Sequence, residues 1–171
     1  MIKSIAIFGA TDKYASVLAE RLVADCNRLI LLADQEKELL ALRDKILLDN
    51  PYASIETTDC ASDASWQADI IVLAVCNDLQ RLISGSIIDF VTQKTLIAFV
   101  ESQEDVLNKA KSNALQELLP HTHVVSVFLT EGPEQVKLFY SSGINEDALE
   151  EAKSLLISAG FNTELSKQLN N

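Results

Sequence analysis

Short apolar, β-branched runs alternate with amphipathic stretches of roughly 10–15 residues along almost the whole chain, and this alternation limits the fold more than any other feature. The runs fall at 3–8 (KSIAIF), 28–33 (RLILLA), 54–58, 69–75 (DIIVLAV), 95–100, 122–129, 136–140 and 161–165. Their continuous apolar character is that of strands buried on both faces of a parallel sheet. Each strand then needs a right-handed helical crossover to reach the next. The expectation is an α/β protein, a doubly wound and mostly parallel sheet between two helical layers (three-layer α/β/α). No internal repeat, low-complexity tract or linker interrupts residues 1–171, so one domain is expected.

The helices carry their own signals. A helix over 13–25 would bury Ala15, Leu18, Ala19, Leu22 and Val23, capped by Thr11 or Asp12. One over 35–48 turns Leu39, Leu42, Ile46 and Leu47 inward and stops at Asn50-Pro51. A helical turn at 61–66 brings Trp66 over the core edge, and a helix over 78–91 is loosened at Ser84-Gly85-Ser86. The spacing predicts a helix over 104–119 with Leu107, Ala110, Ala114, Leu115 and Leu118 inward, ended by Pro120. The last helix has the sharpest ends: Asn145 as cap, Glu146 and Asp147 in the positive first turn, and Gly160 just past the C-terminus.

Composition narrows the function classes. Hydrophobic residues make up 48% and charged residues 23%, a globular balance. No apolar run reaches the roughly 18 residues of a membrane span, and the N-terminus lacks the shape of a signal peptide, so a cytoplasmic protein is expected. A net charge of −11 with no basic cluster argues against nucleic acid. Cys26, Cys60 and Cys76 are widely spaced and odd in number, unlike a disulfide framework or a zinc site. His121 and His123 form an H-x-H pair at the start of a strand, with no third ligand spaced to join them. No G-x-S-x-G motif is present either.

In an open α/β sheet, ligands bind beyond the carboxyl ends of the strands, where strand order reverses. That crevice would draw on residues 9–14, 34–37, 75–78, 100–103 and 129–134. The first turn reads Gly9-Ala10-Thr11-Asp12-Lys13-Tyr14-Ala15. Asp12 carries two readings: an N-cap that occupies the anion site itself, or a charge set where phosphate would rest. Lys13 is either a phosphate contact or a solvated lysine. Asp34, 25 positions after Gly9, is either an acceptor for both ribose hydroxyls or a helix cap. Cys76, in Cys76-Asn77-Asp78, is either a thiol activated at a helix N-terminus or a small filler.

On these residues the chain resembles the deazaflavin-coenzyme-dependent NADP oxidoreductases and related dinucleotide-binding proteins of the Rossmann fold. These open with an apolar strand and G-x-T-G-x-x-G. Here Gly9 and Thr11 match, while Asp12 and Ala15 replace the other two glycines. The similarity continues through Ala68–Val75, through Leu115-Gln116-Glu117-Leu118-Leu119-Pro120 and through Val124-Val125-Ser126-Val127-Phe128. The resemblance implies a cofactor site at Gly9, Ala10, Thr11, Asp12, Lys13, Tyr14, Asp34, Ala74, Val75 and Cys76. The cofactor would be NAD or NADP, with Asp34-Gln35-Glu36 favouring NAD, or none bound. The chain departs from the family's Pro at Cys76, its Asn-Pro at Glu101-Ser102 and the Asn of its Phe-Asn-Thr at Leu129.

Three functions remain open. One is hydride transfer between a nicotinamide dinucleotide and a second organic carrier or small substrate, with altered or weakened cofactor binding. Such chemistry stacks rings and needs no marked acid–base residue. A second is a non-catalytic binding, regulatory or dimerising module, favoured by Asp12, Glu101 and Leu129 and by the little chain beyond the last strand. A third is a CoA- or nucleotide-binding domain, because some of those open with Gly-Ala-Ser/Thr-Asp-Lys. A homodimer is expected from the family resemblance.

Overall fold

The computed structural model describes residues 2–25, 27–74, 87–100, 114–129, 135–140 and 145–167. Eight strands form one sheet: β1 (Ser4–Phe8), β2 (Arg28–Leu32), β3 (Ile55–Thr57), β4 (Ile70–Leu73), β5 (Thr95–Val100), β6 (His123–Leu129), β7 (Gln135–Tyr140) and β8 (Asn162–Lys167). They lie side by side in the order β3-β2-β1-β4-β5-β6-β7-β8. Strands β1 to β6 are parallel, β7 runs antiparallel to β6, and β8 is parallel to β7. The reversal at β7 follows from chain length. Residues 130–134 are too few for a parallel crossover, which takes about a dozen.

Side-chain alternation sorts the strands between two cores. On one face Ile5, Ile7, Leu29, Leu31, Ile70 and Val72 pack under α1 (Lys13–Leu22), α2 (Glu36–Asp49) and α6 (Glu146–Ser158). On the other, Ala6, Phe8, Ile30, Leu32, Ile71 and Leu73 meet α3 (Ala61–Gln67), α4 (Ile88–Val91) and the helical residues 114–118, α5. This is the expected doubly wound α/β/α arrangement. Each fully buried Leu or Ile contributes about 1.5–3 kcal/mol, so Leu18 and Leu22 alone hold α1 firmly to the sheet.

Polar contacts fasten the amino-terminal rim. Lys3 Nζ pairs with Glu151 Oε1 at 2.7 Å, and Thr95 Oγ1 donates to Glu151 Oε2 at 2.6 Å, tying α6 to β1 and β5. Lys94 Nζ donates to the carbonyls of Ser65, Trp66 and Ala68 at 2.6, 3.0 and 2.7 Å, closing the C-terminus of α3 with a cation.

Several faces differ from expectation. The first helix ends at Leu22 and tightens into a 3₁₀ turn, Val23–Asp25. Trp66 is 70% exposed and does not cover the core, because Ala64 and Ser65 take the inward positions of the short α3. Ala114 and Leu118 face outward, since Leu115 of α5 and Leu119 just after it, four apart, take the inward positions. Leu47 is half-buried. The expected glycine-loosened segment at 84–86, and Leu107 and Ala110, lie outside the described residues.

Candidate functional site

The order of the sheet fixes the crevice. Strand β1 pairs with β2 on one side and with β4 on the other, so the strand order reverses between β1 and β4, the place where an open α/β sheet binds its ligand. Gly9 leaves β1 at φ +73°, a left-handed conformation that suits glycine and turns the chain at once. Asp12 N donates to Gly9 O at 2.9 Å, closing the turn. Ala10 N donates to Leu32 O at 2.9 Å, and Ala74 N to Phe8 O at 3.0 Å, so the turn is stitched to the ends of β2 and β4. Ala10 and Ala15 are fully buried, both within the core between α1 and the sheet.

Asp12 is the N-cap of α1. Its Oδ1 accepts from Tyr14 N at 3.0 Å, and its backbone carbonyl accepts from Ser16 N at 2.9 Å. One of the free amide donors at the start of the helix, the group a bound phosphate would take, is therefore engaged by the protein's own carboxylate. Thr11 and Tyr14 are half-buried beside it. Lys13 is exposed and holds its Nζ 5.5 Å from the centre of the Tyr14 ring, a contact worth about 0.5–1 kcal/mol in solvent.

Asp34 lies in the bend after β2, exposed at the rim. The N-cap of α2 is Gln35, without a side-chain cap bond, so Asp34 sits one residue before the cap. Reasoning from sequence passed over the neighbouring end of β3. There Thr58 N donates to Leu31 O at 3.1 Å, Cys60 N donates to Thr58 Oγ1 at 3.1 Å, and Asp59 is exposed between them. The signal was an Asp two residues past a three-residue strand, too weak to pick out alone. Among the described residues, Asp12, Asp34, Glu36 and Asp59 make this rim acidic, with Lys13 and Lys37 as the bases on it.

Ala74 adjoins the turn, while Val75 and Cys76 lie outside the described residues, as do Asn77, Asp78, Glu101, Ser102 and Thr130. His123 opens β6 and His121 precedes it, at the opposite end of the parallel strands. Among the described residues no group of three His, Cys, Asp or Glu is arranged to hold a metal ion. No described helix is long and apolar enough to cross a membrane.

No protein-family profile matches the chain, and no curated protein does. Solved structures do. A 3-hydroxyacyl-CoA dehydrogenase from Archaeoglobus fulgidus superposes with a TM-score of 0.72 at 17% identity, covering 98% of this chain and 57% of that one. A variant imine reductase from Myxococcus stipitatus, in complex with NAD+, gives 0.73 at 15% identity, covering 98% and 55%. A provisionally assigned F420-dependent NADP reductase from Arthrobacter sp. FB24 gives 0.72 at 17% identity, covering 96% and 84%. The chain thus spans a little over half the length of the first two. Likeness at this identity establishes the fold alone, a three-layer α/β/α arrangement of the Rossmann type shared with these structures.

Proposed function

We propose that this chain is an oxidoreductase-type Rossmann domain, of the class that moves hydride between a nicotinamide dinucleotide and a second organic carrier or small substrate, with dinucleotide binding weakened at the pyrophosphate. The single observation carrying this reading is the bond from Tyr14 N to Asp12 Oδ1. The adenosine half of a dinucleotide fits the crevice: Gly9 allows close backbone approach, and Asp34 is exposed where ribose hydroxyls need an acceptor. The same carboxylate repels a 2′-phosphate, which favours NAD over NADP.

The pyrophosphate does not fit Asp12. At about 4 Å and an effective dielectric of about 20, like charges repel by about 4 kcal/mol, several hundredfold in affinity. Glu36 and Asp59 deepen that negative field, and Lys13 offsets a fraction of it. The capped helix equally supports a second reading, a cytoplasmic Rossmann module kept for binding or regulation after its chemistry was lost.

Titration of the pure protein with NADH, NADPH and CoA, repeated with Asp12→Gly, tests both readings. The expected result is weak binding of all three by the natural chain and a gain for NADH on the order of a hundredfold or more in the variant. Micromolar NADH affinity in the unmodified chain would overturn the weakened site. No gain in the variant would favour the non-catalytic module, and tight CoA binding alone a CoA-binding domain.

A further inference from the structure

The turn after β1 spends its amides inside the protein. Ala10 N donates to Leu32 O at 2.9 Å, Asp12 N to Gly9 O at 2.9 Å, and Tyr14 N to Asp12 Oδ1 at 3.0 Å. A phosphate resting at the start of α1 needs donors of this kind, and these three are taken. The described rim around the turn is mostly carboxylate, with Asp12, Asp34, Glu36 and Asp59 against Lys13 and Lys37. The bond from Thr58 N to Leu31 O, 3.1 Å, carries the pairing of β2 with β3 past the strand ends. Asp34 and Asp59 thus leave neighbouring strands about 4.8 Å apart. Ionised carboxylates only accept hydrogen bonds, and so does an ionised phosphate. Rim and phosphate therefore mismatch in bonding as well as in charge. Adenosine offers the complementary set, two ribose hydroxyls and the exocyclic amine of its base, all able to donate.

From the spent amides and the acceptor rim together, we infer that the crevice takes a nucleoside with no phosphate on its 5′ carbon, neutral or cationic there. Asp34 and Asp59 accept from the sugar and the base, and Asp12 sorts ligands by the charge at the 5′ position. Gly9, at φ +73°, has no side chain to hold the sugar off the turn. Lys13 is exposed, its Nζ 5.5 Å from the centre of the Tyr14 ring, so solvent screens it more than it screens the half-buried Asp12. All of this rests on the crevice proposed above being the ligand site. Its poor fit to pyrophosphate then becomes a selectivity for another ligand class.

The test is titration calorimetry at low ionic strength with three ligands that differ only at the 5′ carbon: 5′-amino-5′-deoxyadenosine, adenosine and 5′-AMP. On the natural chain the expected order of affinity is the amine, then adenosine, then 5′-AMP. Each step should be about tenfold or more, the effect of a full charge within roughly 10 Å. Asp12→Asn keeps an oxygen to cap the helix and removes the charge, so it should compress the series while leaving adenosine itself almost unchanged. Asp34→Ala should weaken all three by a similar factor. The inference is overturned by 5′-AMP binding as tightly as adenosine, or by a series that Asp12→Asn leaves as steep as before. Adenosine that fails to bind the natural chain, while NADH binds Asp12→Gly, overturns it alone and leaves the weakened dinucleotide site standing. No binding of any of these ligands by the natural chain or by Asp12→Gly overturns both.

Discussion

At position 12 one carboxylate meets two opposing demands. Aspartate is a strong N-cap because its oxygen satisfies an amide the helix leaves free, and the Tyr14 N bond at 3.0 Å is such a cap. Removing it should separate stability from binding. Asp12→Ala loses the cap and is expected to cost about 1 kcal/mol, a fall in Tm of about 2–4 °C for a chain of this size, whereas Asp12→Gly should cost a few tenths. Thermal melts of the natural chain and the two variants check this, and an Asp12→Ala variant that melts with the natural chain would mean the cap bond contributes nothing. At Asp34 the prediction concerns selectivity. Asp34→Arg, built on Asp12→Gly so that binding is measurable, should raise the NADPH/NADH affinity ratio, because a guanidinium replaces an acceptor beside the ribose. An unchanged ratio would mean that Asp34 does not touch the ligand.

Among the elements, α6 is held at both ends by groups visible in the sequence and by one that is not. Asn145 accepts from Asp147 N at 2.8 Å, and Gly160 follows at φ +81°, as local capping rules require. The tertiary addition is Arg21 of α1. Its Nη1 donates to Ala159 O at 2.8 Å, and its guanidinium stacks 5.8 Å from the Phe161 ring. A Cβ at position 160 would stand 2.9 Å from that nitrogen. Gly160→Ala should therefore cost at least the 1–2 kcal/mol of a left-handed alanine, with part recovered in Gly160→Ala/Arg21→Ala. Urea unfolding of the single and double variants reads both numbers. Cap and stop residues act within one turn, which is why α6 was legible in sequence. The outward Trp66 and Leu118 were not, because short helices leave several rotations compatible with their few apolar residues and the sheet beneath selects one.

Across the whole molecule, two lysines of the amino-terminal rim should give opposite pH signatures. The bond to Glu151 holds Lys3 above its ordinary value of 10.5, so its contribution is complete below 10.5 and is lost as pH rises through the raised value. Burial holds Lys94 below 10.5, so its penalty is complete below the lowered value and is relieved as pH climbs towards 10.5. Melting curves from about pH 8 to about pH 11 on the natural chain, Lys3→Met and Lys94→Met should show the first variant's deficit shrinking at the top of the range. The second variant's deficit should instead grow as pH rises towards 10.5, and parallel curves would contradict both assignments. The strands, the two helical layers and the place of the Gly9 turn were readable in advance, because apolar runs and period-3.6 burial patterns are properties of neighbouring residues. Remote contacts were not. That Arg21 reaches Ala159 O and that Asp59 joins Asp34 on the acidic rim depends on how the elements lie across the sheet. The sequence by itself determined the scaffold, through local periodicity and capping; packing between distant elements decided which further groups, Asp59 beside Asp34 and Arg21 on the end of α6, meet across the sheet.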